Sequence, residues 1–141
     1  MILLDTNVVS EPIRRHPDNR VLDWLDAQAI ESLYLSTISL AELLLGAEIL
    51  PVGRRRAALV AALEQQIADL FGDRILSFDI AAAEAYAKAV ARARGQGYTI
   101  SIADGQIAAI ASANKLSIAS RDELPFLAAG LVVTNPWKHG A

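Results

Sequence analysis

Apolar positions along this chain fall into two alternating rhythms. Short apolar runs bounded by turn residues occur at Ile2–Leu4, in "SLYLSTI" (32–38), "RILSF" (74–78), "LSIAS" (116–120) and "LVVTN" (131–135), and each reads as a short buried strand. Between them the apolar residues take helical spacing. "HPDNRVLDWLDAQ" (16–28) sets Val21, Leu22 and Leu25 on one stripe, with Pro17 near the start. "SLAELLLGAEIL" (39–50) is apolar on nearly every side, which predicts a largely buried helix. "RRRAALVAALEQQIADLFG" (54–72) is more amphipathic and stops at Gly72. "DIAAAEAYAKAVARARGQG" (79–97) and "SIADGQIAAIASANK" (101–115) follow, with Asp79 and Ser101 as candidate caps. "DELPFLAAG" (122–130) is a short helix or turn, and Pro136-Trp137 stands in the tail. Strands alternating with helices predict an α/β fold: a central, mainly parallel sheet of about five short strands with helices on both faces.

Composition narrows the chemistry. At 141 residues the chain is expected to form one domain, residues 1–141, with no internal repeat or linker. It has no cysteine, which excludes disulfides, thiolate zinc sites and thiol nucleophiles. Of two histidines, His16 precedes a proline and His139 lies near the end, so neither suits general-base work. The net charge of −3 argues against bulk electrostatic grip on nucleic acid; a polyanionic partner must be met by local basic patches or bound cations. The start lacks the pattern of a signal peptide and no apolar stretch approaches the ~18 residues a membrane span needs, so a cytoplasmic location is expected.

In a parallel sheet, ligands gather outside the carboxyl ends of the strands. Four acids occupy that edge in the expected layout. Asp5 follows the first strand. Glu42 and Asp104 lie in the first turns of their helices. Asp122 follows the fourth strand. Close carboxylates repel unless a cation neutralises them. With oxygen donors alone, Mg²⁺ or Mn²⁺ is the expected metal. A bland reading stands beside this one. "SLAE" (39–42) and "SIAD" (101–104) both fit the Ser-x-x-acid capping box, Asp5 fits a turn, and Asp122 fits a loop or cap. Two features favour the site: Glu42 sits in a helix with almost no polar face, and Gly105 beside Asp104 implies close approach by a ligand or a neighbouring backbone.

The segments "MILLDTNVVSE" (1–11), "STISLAELLLGAE" (36–48), "ISIADGQIAAIA" (100–111), "LSIASRDELPF" (116–126) and "LVVTNPW" (131–137) resemble, in order and spacing, the PIN-domain ribonucleases. The likeness is to the VapC-like and FitB-like toxins of bacterial toxin–antitoxin pairs. The resemblance implies that Asp5, Glu42, Asp104 and Asp122 are the metal-holding catalytic acids, supported by Thr6, Asn7 and Ser120. It implies cleavage of RNA phosphodiesters with Mg²⁺ or Mn²⁺, restraint by a small antitoxin lying across the active-site face and binding DNA through its other half, and a homodimer. One departure from the pattern is Pro125, where relatives often carry an aspartate; it bears on the substrate-side loop.

The mechanism expected is metal-assisted hydrolysis, with water made acidic by the cation attacking phosphorus in line. Arg121, beside Asp122, is the candidate phosphate contact. Arg54, Arg55 and Arg56 read as a solvated helix start, Arg92 and Arg94 as surface cations, and Trp24, Trp137 and Tyr86 as packing residues. Competing classes fit less well. A haloacid-dehalogenase-type phosphatase needs a second aspartate where Asn7 stands. A phospho-receiver domain needs an acidic pair and a lysine that are missing. The remaining alternative is a catalytically silent PIN-like module that only binds its partner.

Overall fold

In the computed structural model, which describes residues 1–140, β1 (Ile2–Leu4), β2 (Leu33–Ser36), β3 (Ile75–Leu76), β4 (Ser117–Ala119) and β5 (Val133–Thr134) form one sheet in the order β3-β2-β1-β4-β5. Every pairing is parallel, not merely most of them. β1 is central, with Leu4 aligned to Leu35 on one side and Ala119 on the other. The residues that follow these three therefore leave the sheet together.

Seven helices connect the strands: α1 (Thr6–Ser10), α2 (Asn19–Asp26), α3 (Thr37–Glu48), α4 (Arg54–Phe71), α5 (Ile80–Gly95), α6 (Ile102–Ala113) and α7 (Leu124–Ala128). Alternate side chains of β1 feed two cores. Leu4 packs with Val8, Trp24, Leu43, Leu63, Phe71 and Trp137 on the α1–α4 side. Leu3 packs with Ile107, Ile110, Ile118 and Phe126 on the α6–α7 side. Helices thus cover both faces, as expected for a parallel sheet.

Several elements are shorter than the apolar runs suggest. "SLYLSTI" pairs only over 33–36 because buried Ser36 caps α3, which starts at Thr37. "RILSF" and "LVVTN" each pair over two residues at the sheet edges. The helix within 16–28 begins at Asn19, capped by Asp18. Asp79 and Ser101 cap α5 and α6 as expected.

The expectation of a largely buried α3 is overturned. Leu43 and Ala47 are buried, but Leu45 is 60% exposed and Ile49, just past its end, 73%. The helix packs against α4 and the sheet along one stripe only, leaving an apolar flank in solvent. No helix among the described residues is long and apolar enough to cross a membrane.

Candidate active site

Asp5 is both a cap and a site carboxylate. Its N–H continues the ladder to the Ala119 carbonyl (2.9 Å), and its side chain accepts from the Thr6 N–H (2.8 Å), starting α1. That side chain is 6% exposed. Its other oxygen accepts a 2.6 Å hydrogen bond from the buried Ser120 hydroxyl. Burial pushes the Asp5 carboxyl up to about 6, although the Ser120 and Thr6 hydrogen bonds pull it down; the nearby charges of Asp104 and Glu42 push the same way as burial.

Glu42 is placed differently from the expectation. α3 starts at Thr37 and is capped by Ser36, whose Oγ accepts from the Ser39 N–H (3.0 Å). Glu42 therefore lies in the second turn, not the first, and Ser39 is not a cap. The capping-box reading of "SLAE" falls with it. The exposed Glu42 carboxylate instead accepts from the Thr6 hydroxyl (2.8 Å), which also lies 3.0 Å from the Ser39 hydroxyl.

Asp104 does occupy the first turn, and its N–H donates to the Ser101 hydroxyl (3.2 Å). Its carboxyl is raised, first by burial and then by the charges of Asp122 and Glu42, with the Ser101 hydrogen bond pulling down. Gly105 beside it makes room for neither ligand nor backbone. A Cβ there would meet the Tyr86 ring at 2.8 Å and Val90 at 3.4 Å, so the glycine lets α6 lie close to α5.

Asp122 is exposed and does not cap α7; its N–H donates to the Ser120 hydroxyl (3.1 Å). Ser120 thus joins Asp5 to the loop that carries Asp122. Asn7 accepts from the Arg121 N–H (3.4 Å), tying α1 to the same loop. The Arg121 guanidinium lies over the Trp137 ring, 5.3 Å from its centroid. Asn135 holds the tail against this loop by donating to Glu123 (3.0 Å), and Lys138 pairs with the same carboxylate (2.7 Å). The histidines are exposed and outside this network.

All four acids lie in one electrostatic neighbourhood. Charge from Glu42 and Asp104 is felt at Asp5, and charge from Asp122 and Glu42 at Asp104. Among the described residues, however, no three Asp, Glu or His side chains converge into a ready ligand cage. Glu42 and Asp122 are both solvent-exposed, and Glu42 is tied to the Thr6 hydroxyl through one oxygen. The donor set is oxygen alone and a buried carboxylate sits at its centre, which fits a hard divalent cation. Sequence reasoning had Ser39 as a cap and missed its contact with Thr6; the i, i+3 spacing of Ser39 and Glu42 on one helical face was the available signal.

Comparison with known proteins identifies the family of the chain. Residues 2–129 match the PIN domain. The chain is 54% identical to the plasmid stability protein StbB of Pseudomonas syringae pv. tomato, covering 98% of this chain and 99% of that protein. It is 47% identical to the VapC ribonuclease Y4jK of Sinorhizobium fredii, over 98% and 99% of the two chains. It is 48% identical to the toxin FitB of Neisseria gonorrhoeae, over 97% and 99%. The crystal structure of FitAcB from that organism superposes with a TM-score of 0.92 at 48% identity, covering 98% of this chain and 99% of that one. Sequence and fold agree over nearly the whole chain: it belongs to the PIN-domain family, among the VapC- and FitB-like members.

Proposed function

We propose that this chain is a Mg²⁺- or Mn²⁺-dependent endoribonuclease, the toxin of a toxin–antitoxin pair. The observation that carries the reading is Asp5: a carboxylate buried at the end of the central strand, with the charges of Asp104 and Glu42 felt at it and its proton affinity raised. A buried acid among other acids is costly as an anion, and a divalent cation removes that cost. The relatives named as a ribonuclease and as a toxin support the same reading.

In this proposal Asp5 and Asp104 would hold the ion, with Glu42 closing on it and Asp122 supporting a second ion or a water. A bound ion would supply Lewis acidity and lower the pKa of water. The chain's own residues do the positioning. Ser120 fixes one Asp5 oxygen and the Thr6 N–H the other, so the carboxylate presents fixed lone pairs. Thr6 holds one oxygen of the Glu42 carboxylate. Asn7 holds the 120–122 loop, and Arg121, steadied on Trp137, is placed to pair with a phosphate oxygen. An antitoxin restrains the enzyme by covering this face. The exposed apolar flank of Leu44, Leu45, Ile49 and Val52 supports a homodimer.

The test is RNA cleavage by partner-free protein in Mg²⁺, in Mn²⁺ and in EDTA, beside Asp5→Asn. Cleavage that requires both metal and Asp5 supports the proposal. A folded, partner-free sample that cleaves no cellular RNA in either metal contradicts it and favours the binding-only module.

A further inference from the structure

Between the turn at Glu11–Ile13 and α2, loop 14–18 reads Arg14-Arg15-His16-Pro17-Asp18, and its first three residues are exposed in succession. Its base is a carboxylate outside the site described above. Glu11 is 3% exposed and accepts from the Asp18 N–H (3.1 Å) and from Arg14 Nη1 (3.2 and 3.4 Å). A carboxylate this deep persists only when paired and hydrogen-bonded, and Glu11 meets that condition by gathering both ends of the loop.

The pairing leaves Arg14 usable. Glu11 takes one nitrogen of a guanidinium that carries five N–H donors, and the side chain remains 59% exposed. Arg14 lines the same groove as Thr6, Ser10 and Glu42. At the loop's other end Asp18, held by Arg20 at 2.7 Å, lies in the field of Arg121. The loop therefore starts at the Glu42 side of the acidic centre, where Arg14 enters the groove. A polyanion approaching four carboxylates on a chain of net charge −3 needs local positive charge beside them.

We infer that loop 14–18 is a phosphate grip: Arg14 and Arg15 bind the RNA backbone beside the scissile bond, on the Glu42 side, and Glu11 is the positioning residue that aims Arg14. The inference rests on the ribonuclease reading. RNA is favoured over an acidic peptide because Arg14 shares its groove with Glu42 and with Thr6, which is bonded to Asp5.

The test uses Arg14→Gln, Arg15→Gln and Glu11→Gln. Affinity for a labelled single-stranded oligoribonucleotide is measured in EDTA across a salt series, with KM and kcat for RNA in Mn²⁺. Each arginine removed should make the slope of log affinity against log salt shallower by about 0.7. Each should also raise KM roughly tenfold with kcat unchanged, the scale of one charge-assisted contact. Glu11→Gln should raise KM in the wild-type background and do nothing further in Arg14→Gln. An unchanged salt slope and KM in both arginine variants would overturn the inference. So would a fall in Tm of Arg14→Gln with KM unchanged, which would make Arg14 only a counterion for Glu11. Loss of antitoxin inhibition with RNA affinity intact would give the loop to the protein partner and overturn it equally. If no metal supports cleavage, the ribonuclease reading fails and takes the grip at a scissile bond with it, even where the slopes change; if cleavage occurs and the slopes do not change, only the grip fails.

Discussion

Helices α3 and α6 are nearly the same object in sequence and opposite objects in the fold. Each is apolar, each has a glycine inside, and each carries a site acid near its start. α6 is buried along most of its length, with Gly105 to Ala111 enclosed except for Gln106, because α5 and the sheet press on it from two sides. α3 buries one stripe and leaves Leu44 and Leu45 in solvent. Hydrophobic content reports how much surface a helix would gain by covering, not whether this chain does the covering. The uncovered leucines of α3 point outward into solvent, and the small residues of α6 point inward to close helix packing.

The two site acids sharpen the contrast. Asp104 is in the first turn, beside its cap Ser101 and half-buried. Glu42 is one turn further along, exposed, and held by Thr6 from another element. If both serve one ion, their loss should be equally damaging despite the difference in setting. Asp104→Asn and Glu42→Gln should each lower kcat for RNA on the order of a thousandfold, as removal of a transition-state contact does, with circular dichroism unchanged. Full activity in Glu42→Gln would separate α3 from the site.

Asp5 gives the next largest effect, on stability. Its carboxyl is raised in the folded chain, so without divalent metal its contribution is fully present below the ordinary carboxylate pKa and is lost as pH rises through about 6. The wild type should therefore lose up to ~3 kcal/mol relative to Asp5→Asn between pH 4 and pH 7.5, measured by urea unfolding in EDTA. Parallel pH profiles for the two proteins would refute the buried-charge account.

The glycines test the packing half of the comparison. In Gly105→Ala the new methyl meets Tyr86, whose ring is also set edge-on to Phe78, so α5 and α6 must part. We expect a loss of ~1–3 kcal/mol. Gly46→Ala in α3 meets nothing within 4 Å and should stabilise by about 0.5–1 kcal/mol. Thermal unfolding checks both, and equal signs would contradict the difference in closure between the two helices.

Much of this was legible beforehand because strand ends and turn residues carry local signals. The alternation of apolar runs marked the layers, and the acids after them marked the carboxyl edge. Asp79 and Ser101 announced their helices through short polar side chains before helical runs. What was not legible depends on contacts distant in sequence. Ser36, rather than Ser39, caps α3 because β2 ends there, and the Ser36-Thr37-Ile38-Ser39 stretch offers either start. Burial of α3 depends on how many neighbours the topology supplies. The partner of Gly105 is a tyrosine ring brought by α5, and the burial of Glu11 depends on a loop that folds back to donate the Asp18 N–H to it. The two-residue edge strands were over-read because one neighbour supports less ladder than two.

The central claim is that Asp5 ends its strand as the buried member of a cation site. The most direct measurement is thermal unfolding at neutral pH with increasing Mn²⁺, for the wild type and Asp5→Asn. The account predicts that Mn²⁺ stabilises the wild type, by about 2.7 kcal/mol at a hundredfold excess over its Kd, and leaves Asp5→Asn unmoved. Equal stabilisation of both proteins, or none of the wild type, would contradict it.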